Sequence, residues 1–388
     1  MKSIYLDNGS TSFPKAPGLS DSIKYFLENC GYNINRGGYE GAYEVADLVL
    51  ETRRLIAELF HFDQKKARNV IFVPSVTYGL NFIILGLLKP GDHVIISSME
   101  HNAVARACES LTAEGVEVTT VKCSEDGMLD FEEYENSFRE NTKLVVMCHA
   151  SNVSGTVQDA ERIGKIAKEK GVFFVLDAAQ SAGVIEIDFE KFNLSGLCVP
   201  GHKGLLGPQG IGAMILTDEI SNAISPTIYG GTGSISDSLE MPSFLPDKFE
   251  PGTLNIPGIV GLNTSIKYVM EKGTDKILSH ERQLADDFMK KIAEFDPDGK
   301  KIRIAGTKNI INKVGTVSLD FIKMDNSDVA FRLENEFGIM TRCGMHCAPL
   351  AHKTLGTYPE GTVRFSFGYF NTEEDVKEAL EAIKIIAK

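Results

Sequence analysis

What this chain lacks narrows its function first. No apolar stretch approaches the roughly 20 residues a bilayer-spanning helix needs; the longest, near Phe82–Leu88, falls far short. No basic run exists, and 53 acidic against 40 basic side chains leave a formal charge of −13. Those two absences argue against a nucleic-acid surface and against a membrane partner. The seven cysteines are scattered and odd in number, so they make no disulfide framework and suit a reducing compartment. The opening residues, MKSIYLDNGSTSF, contain no signal-peptide h-region, and a cytoplasmic protein is expected. Repeats, low-complexity tracts and linkers of disordered composition are also missing, so the two domains expected of 388 residues should pack closely.

The most informative stretch runs from Val172 to Ala213. VFFVLDA is a short apolar run ending in a carboxylate, which reads as a buried parallel strand with Asp177 at its carboxyl end. Ligands of open α/β sheets sit at such ends. Gln180 follows three residues on, and a second apolar run, Leu197 to Val199, leads to His202, Lys203 and a glycine-rich turn. An acid, an amide, an imidazole and a lysine thus emerge at strand ends. Pyridoxal phosphate (PLP) requires a lysine for its Schiff base and a carboxylate opposite its pyridinium nitrogen. Taken singly, an Asp ending a strand is common and a lysine in a glycine-rich loop is usually solvated.

Around this stretch the chain alternates strand and helix. VIFV, HVIIS, VEVTTV, KLVVMCHA and VFFVLDA read as strands, separated by helices at Thr77–Leu88, Ala103–Glu114 and Asp159–Lys170. The rhythm predicts a mostly parallel sheet with helices on both faces, and GAMILT, near residues 212–217, as an antiparallel edge. Ala42–Phe60 carries apolar residues at helical spacing, and the glycine-rich NINRGGYEGAY before it reads equally as a functional loop or a connector. Ile259–Glu294 reads as helix interrupted near Gly273, bridging to a second unit of α+β character. Its final helix presents Val376, Leu380, Ile383 and Ala387 on one face, with Asn371 and Glu374 as a capping box.

DAAQ, GHK and GPQG, in that order, closely resemble the class V aminotransferase family of fold-type I PLP enzymes, and in particular its cysteine desulfurases. The likeness runs from YLDNGST at Tyr5 to YFNTEED at Tyr369. It implies an α/β fold: a large PLP-binding domain with a mostly parallel seven-stranded sheet over residues 15–274. A smaller α+β domain takes residues 1–14 and 275–388. It implies that Lys203 carries the cofactor and moves the substrate Cα proton, that Asp177 faces the pyridine nitrogen, and that Gln180 bonds the phenolic oxygen. His202, Val76 and Thr77 fall to the phosphate; the last two sit in SVTYGLN, where a helix N-terminus suits an anion, although an ordinary N-cap has the same look. His101 in MEHNAV would stack on the ring and assist proton transfer. Asn152 in HASNVSGT would lie near the substrate carboxylate. Thr253 in FEPGTLN matches a residue that reaches the partner subunit's phosphate, which implies a homodimer. Pro200 stands where the related enzymes often carry serine, one hydroxyl fewer for the phosphate.

TRCGMHCAPL, Thr341 to Leu350, resembles the R-x-G-x-H-C-A motif of group II cysteine desulfurases and selenocysteine lyases. Cys347 aligns with their persulfide-forming nucleophile, Arg364 with the arginine that clamps the substrate carboxylate, and Arg342 with a second arginine of the site. A guanidinium suits a bidentate carboxylate. No metal is expected: Cys343, His346 and Cys347 lack the fourth ligand of a structural zinc site. The resemblance therefore implies a PLP-dependent cysteine desulfurase that converts L-cysteine to L-alanine and passes a Cys347 persulfide to an acceptor protein. The alternatives are a lyase acting on L-selenocysteine, a class V aminotransferase or lyase that does not use Cys347, and a PLP-binding protein without turnover.

Overall fold

The computed structural model of the chain describes residues 3–34, 37–235 and 237–388. The loop NINRGGYEGAY lies partly outside them, at positions 35 and 36; from Glu40 the chain is already helical.

Seven strands form the large sheet. Their spatial order is Val70–Val73, Gly212–Leu216, Gly196–Pro200, Phe173–Asp177, Thr142–Cys148, His93–Ser97 and Glu117–Val121. Gly212–Leu216 runs antiparallel to both of its neighbours, and the other adjacent pairs are parallel. GAMILT is thus antiparallel as expected, but it is not the edge: Val70–Val73 pairs outside it. A return strand between two strands of like direction can hydrogen-bond on both sides, and a single-strand reading does not say which side is filled.

The strands read as continuous apolar runs because both faces are covered. Phe174, Leu176, Val145 and Met147 face a core shared with helices Glu40–Leu59, Ala160–Glu169 and Ile256–Lys272. Val175, Val146, Ile96 and Val94 face the opposite core, with Val76–Leu87 and Asn102–Thr112. Each such side chain taken fully from water contributes about 1.5–3 kcal/mol.

Gly273, at φ 81°, breaks the expected long helix into Ile256–Lys272 and Thr274–Phe295. The second helix packs on a four-stranded antiparallel sheet ordered Arg342–Gly344, Thr362–Ser366, Thr316–Phe321 and Ile302–Ala305. The N-terminal strand Ile4–Tyr5 pairs in parallel with Ile339–Met340, which ties the start of the chain to its last third. The final helix, Glu373–Ile386, buries Val376, Leu380 and Ile383, and Ala387 is buried at its C-cap. Its capping box is Thr372 with Asp375, one residue later than the expected Asn371 and Glu374. Asn371 is occupied elsewhere: its Oδ1 accepts from Gly368 N and Asn8 Nδ2, and its Nδ2 donates to the Tyr5 carbonyl.

Candidate active site

Val70–Val73 and the parallel strands point their carboxyl ends at one rim, and that rim is a pocket. Ser75, Val76 and Thr77 follow Val73; His101 follows Ser97; Asn152 follows Cys148; Asp177 and Pro200 close their own strands. Lys203, His202 and Gln180 complete the lining. The topology therefore brings together side chains spread over more than a hundred residues of sequence.

Asp177 is 3% exposed, and its Oδ1 accepts from Ala179 N at 2.9 Å. Burial pushes its carboxyl above the usual range, against the pull of the Ala179 N–H and the Lys203 charge. Burial likewise lowers the Lys203 amine to about 8, with Asp177 opposing. A lysine so tuned holds an accessible free base near neutral pH. His101 is the N-cap of helix Asn102–Thr112: its Nδ1 accepts from Ala103 N at 3.0 Å. Burial first, then Lys203, takes its ring down to about 4, so it is neutral at pH 7. His202 is lowered to about 4 for the same reasons, and its buried Nδ1 has no partner among the described residues. Ser75 caps helix Val76–Leu87 in extended backbone without a side-chain hydrogen bond, which leaves that N-terminus open to the pocket. Gln180 Nε2 donates to the Gly9 carbonyl at 2.9 Å, linking the pocket to the N-terminal segment.

The smaller sheet supplies the second half of the site. Arg342 and Arg364 are cross-strand partners. Arg364 is 2% exposed; its Nη2 donates to Asp7 Oδ1 at 2.6 Å and Ser10 Oγ at 2.8 Å, and its Nη1 to the Asn152 carbonyl at 3.1 Å. Arg342 is exposed, with Nη1 on Ser10 Oγ at 2.8 Å. Cys347 is exposed on a turn in which His346 and Cys347 both take positive φ, 47° and 57°. Two consecutive non-glycine residues in this region are costly, and such strain persists only when the surroundings hold it. Here two bonds from the large-sheet side hold it: Asn152 Nδ2 donates to the His346 carbonyl at 2.6 Å, and Asn102 N to the Cys347 carbonyl at 2.8 Å. Asn102 opens a helix, so its N–H has no intrahelical partner and is free to take this carbonyl.

The sequence reading thus placed Lys203, Asp177, Gln180, His202, His101, Val76, Thr77 and Asn152 in what is one pocket, with Arg364 reaching Asn152 from beside it. Thr253 is exposed and lies outside the pocket lining of this chain. Asn152 does more than the reading anticipated, since its amide is engaged by the Cys347 turn. Asp7, Ser10 and Glu100 were missed. Glu100 is fully buried beneath the rim, with Oε1 accepting from Ser97 Oγ at 2.5 Å and Cys148 N at 3.0 Å. Asp7 lies within YLDNGST, a segment whose carboxylate is visible in sequence but whose arginine partner is 357 positions away. Among the described residues no cluster of three or more His, Cys, Asp or Glu could hold a metal, and no helix is long and apolar enough to cross a membrane.

Comparison with known proteins agrees with this geometry. The family model of class V aminotransferases matches residues 4–379. A probable cysteine desulfurase of Methanothermobacter thermautotrophicus is 34% identical over 99% of this chain and 94% of its own. One from Pyrococcus abyssi is 32% identical over 99% and 94%. The apo structure of a cysteine desulfurase from Thermococcus onnurineus superposes with a TM-score of 0.92 at 30% identity, covering 99% of this chain and 94% of that one. With its fold, its pocket and its sequence all pointing the same way, the chain belongs to the class V aminotransferase family.

Proposed function

We propose that this protein is a PLP-dependent cysteine desulfurase, which converts L-cysteine to L-alanine and leaves the sulfur as a persulfide on Cys347 for an acceptor. The observation that carries this reading is the anchoring of the strained, exposed Cys347 turn by Asn152 and Asn102 at the rim of the Lys203 pocket. An unrelated surface cysteine has no need of such anchoring.

The residues present fit PLP. Asp177 offers a buried carboxylate at a strand end, His202 a buried nitrogen without a partner among the described residues, and Val76–Leu87 a helix N-terminus without a side-chain cap. Lys203 would hold the cofactor. Val76, Thr77 and His202 would hold its phosphate, Asp177 its ring nitrogen, Gln180 its ring oxygen and His101 its ring face. Thr253 would serve the phosphate of the other subunit in a homodimer. The division at residues 14/15 and 274/275 into large and small domains belongs to the same reading, as does a cytoplasmic, reducing compartment, which seven free cysteines suit. When bound, PLP supplies an electron sink for the charge that develops at the substrate Cα.

The chain's own residues do the rest. Arg364, with Arg342 and Asn152, orients the substrate carboxylate. Lys203 Nζ removes the Cα proton, a task suited to an amine lowered to about 8. The Cys347 thiolate attacks the substrate sulfur; an S–S bond forms as the C–S bond breaks, the electron pair left on Cβ takes a proton to give the alanine methyl group, and the Lys203 amine returns a proton to Cα. The thiolate is the nucleophile. Burial holds His346 down at about 2 and His101 at about 4, so both rings are neutral and neither is an imidazolium that could favour the thiolate.

The direct test is to incubate the holoenzyme with L-cysteine, with and without a thiol reductant, and measure alanine and sulfide. Alanine with reductant-dependent sulfide supports the reading; formation of a keto acid without sulfide refutes it in favour of transamination. Two variants probe the parts. Arg364→Ala should raise KM for L-cysteine strongly, because truncating one partner of a desolvated charge pair costs ~2–5 kcal/mol, roughly 30-fold or more in affinity. An unchanged KM moves the carboxylate clamp elsewhere. Asp177→Asn should keep the fold yet lower kcat by about 10²-fold or more, the scale for losing one preorganised electrostatic group. An amide cannot balance a pyridinium charge, and alanine production at the wild-type rate would count against the Asp177 role.

A further inference from the structure

The N-terminal turn adds a charge to the site that the reaction scheme above does not use. Arg342 and Arg364 stand directly opposite each other on neighbouring strands, and like charges so placed repel. Arg364 is also buried, and a buried cation without a partner is strongly destabilising. Asp7 meets both needs. Its Oδ1 accepts from Arg364 Nη2 at 2.6 Å and from Ser10 Oγ at 2.7 Å. Ser10 Oγ in turn accepts from both arginines at 2.8 Å, so one short turn binds the two guanidiniums together. Gly9 lies in the same turn: a Cβ there would stand 3.1 Å from Arg364 Cζ and 2.8 Å from Ser366 Oγ, so the backbone packs directly against the Arg364 guanidinium. Two positive charges and one negative leave a single net positive charge, the complement of one α-carboxylate.

We propose that Asp7 is a positioning residue of the carboxylate clamp, fixing Arg364 and cancelling one of the paired guanidinium charges so that the site selects amino acids carrying one carboxylate. The proposal rests on the reading of Arg364 as the clamp. Asp7 acts through Arg364 and needs no contact with substrate.

The test is a double-mutant cycle on the holoenzyme with L-cysteine, together with competition by L-alanine and L-aspartate as mono- and dianionic probes, and calorimetric binding of both probes. Asp7→Asn should raise KM about tenfold or more while kcat stays within about threefold, as expected for lost ground-state binding. It should also shift the L-aspartate to L-alanine affinity ratio toward L-aspartate by about tenfold, because the second guanidinium is then unbalanced. Asp7→Glu, which keeps the charge, should hold that ratio near the wild-type value. Asp7→Asn with Arg364→Ala should be no worse than Arg364→Ala alone. An unchanged KM and ratio, a loss of kcat alone, or additive losses in the double variant would overturn the proposal. Should Asp7→Asn not fold, Ser10→Ala takes its place: a raised KM at constant kcat supports the network, and an unchanged KM overturns it. If Arg364→Ala itself leaves KM unchanged, the clamp assignment fails, which separates that failure from this one.

Discussion

Replacing Lys203 by alanine is expected to abolish turnover of L-cysteine. Lys203 follows the strand Gly196–Pro200 and lines the pocket with Asp177, where burial has already lowered its amine to about 8. Loss of a positioned acid–base group alone costs ~10²–10⁴-fold in rate, and here the covalent attachment of the cofactor is lost as well. The variant should fold, since the lysine is not part of either apolar core. PLP can still be held by its phosphate and ring contacts, but borohydride reduction should no longer fix it to the protein. If reduction still attaches PLP at another lysine, the assignment of Lys203 fails.

Cys347→Ser separates the two halves of the chemistry. Cofactor binding, carboxylate recognition and removal of the Cα proton depend on Lys203, Asp177 and Arg364, so all three should survive. Sulfur removal should fall by ~10³-fold or more, the loss expected when a nucleophile is removed from its supporting constellation. The serine side chain is nearly the same size, and the turn is held through the His346 and Cys347 carbonyls rather than through the thiol. The geometry should therefore persist while a soft nucleophile is replaced by a hard one. A selenol is more acidic and a better leaving group than a thiol, so selenocysteine turnover should be kept in measurable part. Mass spectrometry of the wild type after L-cysteine should find about one added sulfur per active subunit, on Cys347 and removable by reductant, because the thiolate is the attacking group. A persulfide on Cys343, or wild-type alanine production by the serine variant, would refute the proposed mechanism.

The sequence by itself determined the layers of this protein and the pocket's main chemical groups. Strand runs such as VFFVLD are uniformly apolar because both faces of the sheet are buried, and that pattern is local. Asp177 ends one such run and Lys203 follows closely on another, so an apolar run leading to polar residues pointed to both; His101 also follows a strand, but its part in the site was implied by the family resemblance. Helices such as Ala160–Glu169 and Asn102–Thr112 followed from periodicity for the same reason. Only the tertiary structure decided which strand filled the edge, where the final helix was capped, and which groups met across the domain boundary. Gly212–Leu216 acquired an outer neighbour, Val70–Val73, from far upstream, with Val70 paired to Ile215 and Phe72 to Ala213, a choice made by packing and hydrogen-bond closure. Thr372 took the cap because Asn371 was drawn to Tyr5, Asn8 and Gly368. Asp7 met Arg364, and Asn152 met the Cys347 turn, because the N-terminal strand folds back onto Ile339–Met340 and the two sheets close over one rim. Such contacts join residues with no shared periodicity, and their energy lies in burial and charge pairing that exist only after the chain has closed.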